Sequence, residues 1–269
     1  MTSEGTYLDR IIAAKRESLS QTRAANVSER EIEAMLASLP PALDFMAALK
    51  IGPGPRAIAE FKRASPSEGE IRPGADPKHV ATLYVDAGAA CISVLTDAHF
   101  EGSIDDLSRV RSAVSVPILR KDFILQRSQI IEARREGADA ILLIVAALEP
   151  PRLRELMSFA HRMGLQVLCE AHDEREIERA LAAGAKMVGV NNRDLKTFEV
   201  DVGRCIELRK LVPRDGFMYV AESGIQSRED VARLREAGVD AFLVGTHLMR
   251  AEDPGLALMD LLGLAGGGA

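Results

Sequence analysis

The sequence predicts an α/β chain folded as a (β/α)8 TIM barrel with an N-terminal helical extension. Three observations predict it. Eight short apolar runs start at residues 57, 90, 116, 140, 166, 187, 217 and 241, a spacing that fits one strand plus one crossover helix. Most of the runs are rich in β-branched residues and too short for helices, as expected of parallel strands buried on both faces. Glycine also recurs in one context, at Gly88, Gly137, Gly184 and Gly238, each followed by a new run two or three residues later. That pattern fits a repeating unit whose helix ends in a left-handed residue. An open doubly wound sheet is the alternative, but no GxGxxG loop follows the first run.

The elements follow in order. Leu8, Ile11, Ile12, Lys15 and Leu19 have helical spacing, Glu29–Leu39 is a second helical stretch, and Leu43, Met46, Ala47 and Leu49 suggest a third. Residues 1–55 are therefore expected to form extra helices packed on the barrel, with Gly52–Pro55 as the linker into it. The expected strands are Ala57–Phe61, Ala90–Leu95, Val116–Leu119, Ala140–Val145, Gln166–Cys169, Met187–Val190, Phe217–Ala221 and Ala241–Val244. Helical patterns between them include Ser128–Gly137, with Ser128 as N-cap, Glu174–Gly184 and Ser227–Gly238. The tail Gly263–Ala269 reads as frayed. One domain spanning 1–269 is expected, since a barrel of this type takes about 250 residues.

Composition narrows the function. Lys plus Arg number 34 and Asp plus Glu 40, a net charge of −6. Nucleic acid and anionic membrane both need a positive surface and are excluded as main partners. No apolar stretch reaches the roughly 18 residues of a membrane span, and Asp9, Arg10 and Lys15 interrupt any signal-peptide core. Cys91, Cys169 and Cys205 are odd in number and widely spaced. They read as reduced thiols of a cytoplasmic protein. The five histidines show neither HxH nor HExxH spacing, so no metal is expected.

In such a barrel the chemistry collects at the C-terminal strand ends. Glu60 and Lys62 end the first strand, Lys121 follows the third, Glu170 ends the fifth, Asn191 and Arg193 end the sixth, and Glu222 ends the seventh. Strand alternation turns these residues inward. Two lysines among three glutamates suit proton transfer, because each carboxylate holds a lysine protonated while burial opposes it. A lysine at the third strand could instead form a Schiff base, giving an aldolase reading. His172 shares the inward parity of Glu170, which gives two readings: a residue that touches the site, or a structural histidine satisfied there. Gly224 and Gly245, with the hydroxyls of Ser223 and Thr246, fall after strands seven and eight. Loops there often bind phosphate through backbone amides. The expected partner is a small phosphorylated molecule.

The residues also resemble a known family. Ile58–Ser67 (IAEFKRASPS), Ser93–Thr96, Leu119–Ile124, Val190–Leu195, Ala221–Ile225 and Leu243–Thr246 resemble the indole-3-glycerol phosphate synthases, from about Leu8 to Leu262. The resemblance implies ring closure of 1-(2-carboxyphenylamino)-1-deoxyribulose 5-phosphate, with loss of CO2 and water, and no cofactor. Lys121 resembles the family's general acid. Lys62 resembles the lysine that pairs with the substrate carboxylate and takes part in proton transfer. Glu170 matches an acid/base carboxylate near the leaving hydroxyl, and Glu60 its partner beside Lys62. Asn191 and Glu222 look like positioning residues. Arg193 would sit near the anthranilate carboxylate, and Phe123 would wall the aromatic ring. Ser65, Ser223, Gly224, Gly245 and Thr246 would hold the phosphate, and the helices of residues 1–55 would lie over the barrel mouth and help exclude water. Thr246 and Ser128 stand where other residues are common in the family. The short stretch after the eighth unit points to a monofunctional chain, a monomer or weak homo-oligomer.

Two other readings use the same features. A sugar-phosphate isomerase or Schiff-base aldolase fits the barrel, although strand one offers Glu60 and Lys62, and strand six Asn191, rather than the cysteine and aspartate of the same pathway's isomerase. A non-catalytic phosphate-binding protein would keep Gly224 and Gly245 but would have no need of five ionisable residues at the mouth.

Overall fold

The computed structural model describes residues 6–21, 27–52, 54–65, 68–194 and 197–264. Pro53 of the linker, Pro66 and Ser67 of the first signature, Leu195 of the fourth and the tail 265–269 lie outside them. Eight parallel strands close into a barrel: β1 (Ala57–Phe61), β2 (Cys91–Leu95), β3 (Ile118–Lys121), β4 (Ala140–Ile144), β5 (Gln166–Ala171), β6 (Met187–Asn191), β7 (Met218–Glu222) and β8 (Ala241–Val244). Each strand pairs with its neighbours in sequence, and β8 pairs with β1. The sequence-predicted (β/α)8 barrel is the fold observed.

The helices are α1 (Tyr7–Gln21), α2 (Glu29–Ser38), α3 (Phe45–Ala48), α4 (Pro77–Asp86), α5 (Ile104–Arg111), α6 (Arg127–Arg135), α7 (Pro150–Arg162), α8 (Glu174–Ala182), α9 (Val202–Leu208), α10 (Arg228–Glu236), α11 (Thr246–Arg250) and α12 (Pro254–Leu261). Gly88, Gly137, Gly184 and Gly238 follow α4, α6, α8 and α10 with φ of +92°, +91°, +98° and +89°. A glycine takes this left-handed turn without the Cβ penalty. In every case the next strand starts three residues later.

Cross-strand partners share a face of the sheet. The register Ile58↔Cys91, Ile58↔Leu243, Leu142↔Leu168, Leu168↔Met187 and Gly189↔Val220 therefore assigns the barrel interior. The same alternation carries Glu60, Glu170 and Glu222 inward, two residues further toward the mouth than Ile58, Leu168 and Val220.

Two expectations shift locally. The third strand runs over Ile118–Lys121 rather than Val116–Leu119. Pro117 has no N–H for the ladder, whereas Arg120 and Lys121 pair with Val94 and Leu95. Its last two residues are charged, so the apolar run ends before the strand does. Helix α6 starts at Arg127, so Ser128 is inside it. Gln129 in its first turn reaches back, its Oε1 accepting from the Leu125 and Gln126 N–H groups just before the helix.

The extension is divided between the two ends of the barrel rather than gathered over the mouth. Helix α1 lies at the mouth. Its Lys15 ammonium stands 2.8 Å from Asp97 and 2.5 Å from Asp122, just past β2 and β3. Helix α2 lies on the outer helices, with Glu29 2.6 Å from Arg162 of α7. Helix α3 closes the opposite end. The Leu43 N–H donates to Asp139, the Met46 N–H to Gln166 and the Cys91 thiol to the Phe45 carbonyl. These three partners stand where β4, β5 and β2 begin. Phe45 is wholly buried there, an apolar plug for that end.

Candidate active site

Four strand ends converge on one ammonium. Lys121 Nζ of β3 stands 3.8 Å from Glu60 Oε1 of β1, 3.6 Å from Glu170 Oε2 of β5 and 3.8 Å from Glu222 Oε2 of β7. Lys62 Nζ stands 2.8 Å from the other Glu60 oxygen. All three carboxylates are buried.

This geometry decides where protons reside. Burial pushes the Glu60 carboxyl up, but Lys62 and Lys121 outweigh it and hold the group below its ordinary value. Burial opposes the Lys121 ammonium, yet Glu170, Glu60 and Glu222 together raise its pKa above the usual lysine value. Burial and the neighbouring Glu170 and Glu60 carboxylates push Glu222 well above its ordinary value, against the pull of Lys121. The cluster therefore combines a firmly protonated lysine with a glutamate that favours its neutral form. Both Glu222 oxygens are buried and lack a hydrogen-bond partner among the described residues. Gly245 of the eighth loop leaves room for this cluster, because a Cβ there would overlap the Glu60 carboxylate.

The mouth holds a cavity of about 290 Å³. Glu60, Lys62, Lys121, Glu170, Asn191 and Glu222 line it, as do Arg193 and Phe123. Ser65, Ser223, Gly224, Gly245 and Thr246 line it as well. The structure thus brings every residue singled out for catalysis or substrate binding to one space.

The lining groups of the cavity differ in character. On one side Ser223 and Gly224 take successive left-handed conformations, with φ of +65° and +79°. The Asn192 amide donates to the Ser223 carbonyl and steadies that turn. Ser65 contributes a buried hydroxyl that has no partner among the described residues. On another side Phe123 stacks with Phe100, the ring centroids 6.2 Å apart. On the third, the Arg193 N–H donates to Asn191 Oδ1 and its guanidinium donates to the Phe198 carbonyl.

Sequence reasoning missed several residues at this cavity. Tyr7 of α1 lines it beside Leu8 and Ile11, whose helix was expected at the mouth, but Tyr7 lies outside the spacing that marks that helix. Phe100 lies in a short turn after β2 that carries no apolar run. Glu68 and Arg250, from the first and eighth loops, form an ion pair across it. Nothing in the sequence joins two residues so far apart in the chain.

His172 does more than fill space. Its Nε2 is 3.5 Å from Glu170 and its Nδ1 3.0 Å from Glu176. The cysteines are buried, and burial pushes the Cys169 and Cys205 thiols up to about 12, so neither is poised as a nucleophile. Among the described residues no group of three or more His, Cys, Asp or Glu could hold a metal ion, and no helix is long and apolar enough to cross a membrane.

Comparison with known proteins gives a consistent picture. A profile of the family described as indole-3-glycerol phosphate synthase matches residues 8–261. The chain is 47% identical over 253 residues to the indole-3-glycerol phosphate synthase of Burkholderia vietnamiensis, covering 93% of this chain and 97% of that one. It is 47% identical over 264 residues to the same-named protein of Polaromonas sp., covering 96% and 98%. Among solved structures it resembles the 3-hexulose-6-phosphate synthase of Salmonella typhimurium, with TM-score 0.62 at 14% identity over 78% of this chain and 97% of that one. At that identity the likeness concerns the barrel alone.

Proposed function

Because the chain belongs to the indole-3-glycerol phosphate synthase family, we propose that this mouth closes the pyrrole ring of 1-(2-carboxyphenylamino)-1-deoxyribulose 5-phosphate by general acid/base catalysis. Family membership makes the chain a carboxy-lyase of tryptophan biosynthesis. The division of labour among its residues is our reading, and one observation carries it: Lys121 stands amid three buried carboxylates that keep it protonated.

Lys121 donates its proton to the substrate's ketone oxygen as the ring carbon bearing the carboxylate attacks the ketone carbon. The oxygen becomes a hydroxyl and the new carbon–carbon bond closes the ring. Lys62, steadied by Glu60, holds the carboxylate and takes part in proton transfer. The carboxylate then leaves as CO2, and its bonding electrons restore the aromatic ring. Glu170 serves the dehydration as acid and base: it protonates the leaving hydroxyl, which departs as water, and a proton is removed from the substrate. Asn191 and Glu222 position the sugar hydroxyls. Arg193 faces the anthranilate carboxylate and Phe123 its ring. Ser65, Ser223, Gly224, Gly245 and Thr246 bind the phosphate.

The reaction has no redox step, so it asks for no cofactor. Buried free thiols support a cytoplasmic setting, and we read the chain as one domain acting as a monomer or weak homo-oligomer. The test is turnover: purified protein mixed with the carboxyphenylamino-ribulose phosphate should produce indole fluorescence. Lys121→Ala should lower kcat by about 10²–10⁴-fold, the usual range for a general acid. Folded protein without turnover overturns the reading, and an active Lys121→Ala overturns the role of Lys121.

A further inference from the structure

Glu170 faces two ways. Its Oε2 points to the mouth, 3.6 Å from Lys121 Nζ, and its Oε1 points away, 3.5 Å from His172 Nε2. His172 is not among the residues that line the cavity, and its contact with the site runs through Glu170. We propose that His172 is a positioning residue for the reaction, orienting the Glu170 carboxylate and sharing a proton with its rear oxygen. This rests on the reading of Glu170 as the acid/base group.

The ring is held for that purpose. The Glu176 carboxylate, in the first turn of α8, accepts the backbone N–H of His172 at 2.8 Å and lies 3.0 Å from ring Nδ1. One acceptor fixing both backbone and ring leaves a single direction for Nε2, toward Glu170. Nε2 is buried and makes no hydrogen bond to any described residue in this arrangement. A carboxylate that fixes one ring nitrogen sets the tautomer and the task of the other. With Nδ1–H given to Glu176, Nε2 either accepts a proton from Glu170 or, as imidazolium, donates one to it.

The charged groups around the ring are Glu170 on β5, Glu176 on α8 and Arg204 on α9. Arg204 is itself 3.6 Å from Asp194. Burial disfavours the imidazolium, but the Glu176 hydrogen bond and the two carboxylates outweigh burial and Arg204, and the His172 pKa lies above that of an ordinary histidine. As pH rises through it, the donor facing Glu170 is lost, so kcat should acquire a descending alkaline limb that belongs to this pair.

The experiment compares His172→Ala, His172→Gln and Glu170→Gln, each checked for cooperative unfolding, and follows the imidazole of His172 by NMR titration. We expect His172→Ala to lower kcat about tenfold while KM stays within twofold. His172→Gln keeps an N–H donor toward Glu170 but cannot titrate; it should recover most of the rate and lose the alkaline limb. In Glu170→Gln the pKa of His172 should fall. His172→Ala with native kcat and pH profile, a change confined to KM, or an unchanged His172 titration in Glu170→Gln would each overturn the inference. An inactive Glu170→Gln beside native-like His172 variants overturns this inference alone. An active Glu170→Gln overturns the role of Glu170 and this inference with it.

Discussion

Gly189 of β6 lies against the carboxylate of Glu222 on β7, so closely that a Cβ on Gly189 would overlap Glu222 Oε1 and press on Leu168 at 3.1 Å. The glycine is there for space; its backbone is not in the left-handed region. Gly189→Ala should lower stability by about 1–3 kcal/mol, the usual cost of overpacking. It should also lower kcat about tenfold by pushing Glu222 toward Lys121. Thermal unfolding and steady-state kinetics on one preparation check both; a stable, fully active Gly189→Ala would show that the carboxylate has room to move.

Glu222 should also leave a mark on the pH dependence of stability. Its carboxyl is raised above the ordinary 4.5 in the folded protein. A raised pKa gives stability that is fully present below the unfolded value and is lost as pH rises through the folded one. Glu222→Gln removes that loss, so its stability relative to native protein should grow from about pH 4.5 upward, by about 1.4 kcal/mol per pH unit, and level off above the folded pKa. Glu60 and Asp122 are lowered; their stability is lost as pH falls, in both proteins alike, so it largely cancels. Denaturant unfolding across a pH series measures the difference, and a flat one refutes the shift.

The Ser65 hydroxyl lacks a partner among the described residues, so its loss breaks no hydrogen bond to any of them. Ser65→Ala should raise KM about tenfold, as expected for one hydrogen bond to a charged group, with kcat within twofold. That is the pattern of uniform binding. Ser223 sits at positive φ, so Ser223→Gly removes its hydroxyl without straining the turn and should behave in the same way. A fall in kcat at constant KM would place either hydroxyl in the chemistry instead.

Lys15 joins α1 to the barrel through Asp97 and Asp122, both buried. Asp122 has other partners, with Arg120 at 2.9 Å and the Thr96 hydroxyl donating at 2.8 Å. Lys15→Met should therefore cost near the lower end of the roughly 3–5 kcal/mol seen when a buried pair is broken. It should also raise KM, because Tyr7, Leu8 and Ile11 of the same helix line the cavity. Denaturant unfolding with substrate titration checks both, and an unchanged midpoint would mean that apolar packing alone holds α1.

The barrel was legible in the sequence because burial on both faces forces an apolar strand, and a crossover helix forces a regular interval between strands. Glycine at each helix end added punctuation. The mouth residues were legible for a related reason: alternation fixes the face of Glu60, Glu170 and Glu222 once the strand is known. Where charge replaces apolar character the rule fades, which is why β3 was placed two residues early, although Arg120 and Lys121 complete its pairing with β2.

The sequence by itself determined the fold, the family and the inward parity of the charged strand ends, because each depends on local periodicity or on motifs continuous in the chain. Only the tertiary structure decided that α1 covers one end of the barrel while α3 plugs the other. It alone set three carboxylates from three other strands within 4 Å of the Lys121 ammonium, and it alone put His172 behind Glu170. These are relations between segments far apart in sequence. Electrostatic interaction depends on distance and burial, so which carboxyl keeps its proton could be read only once the barrel had closed.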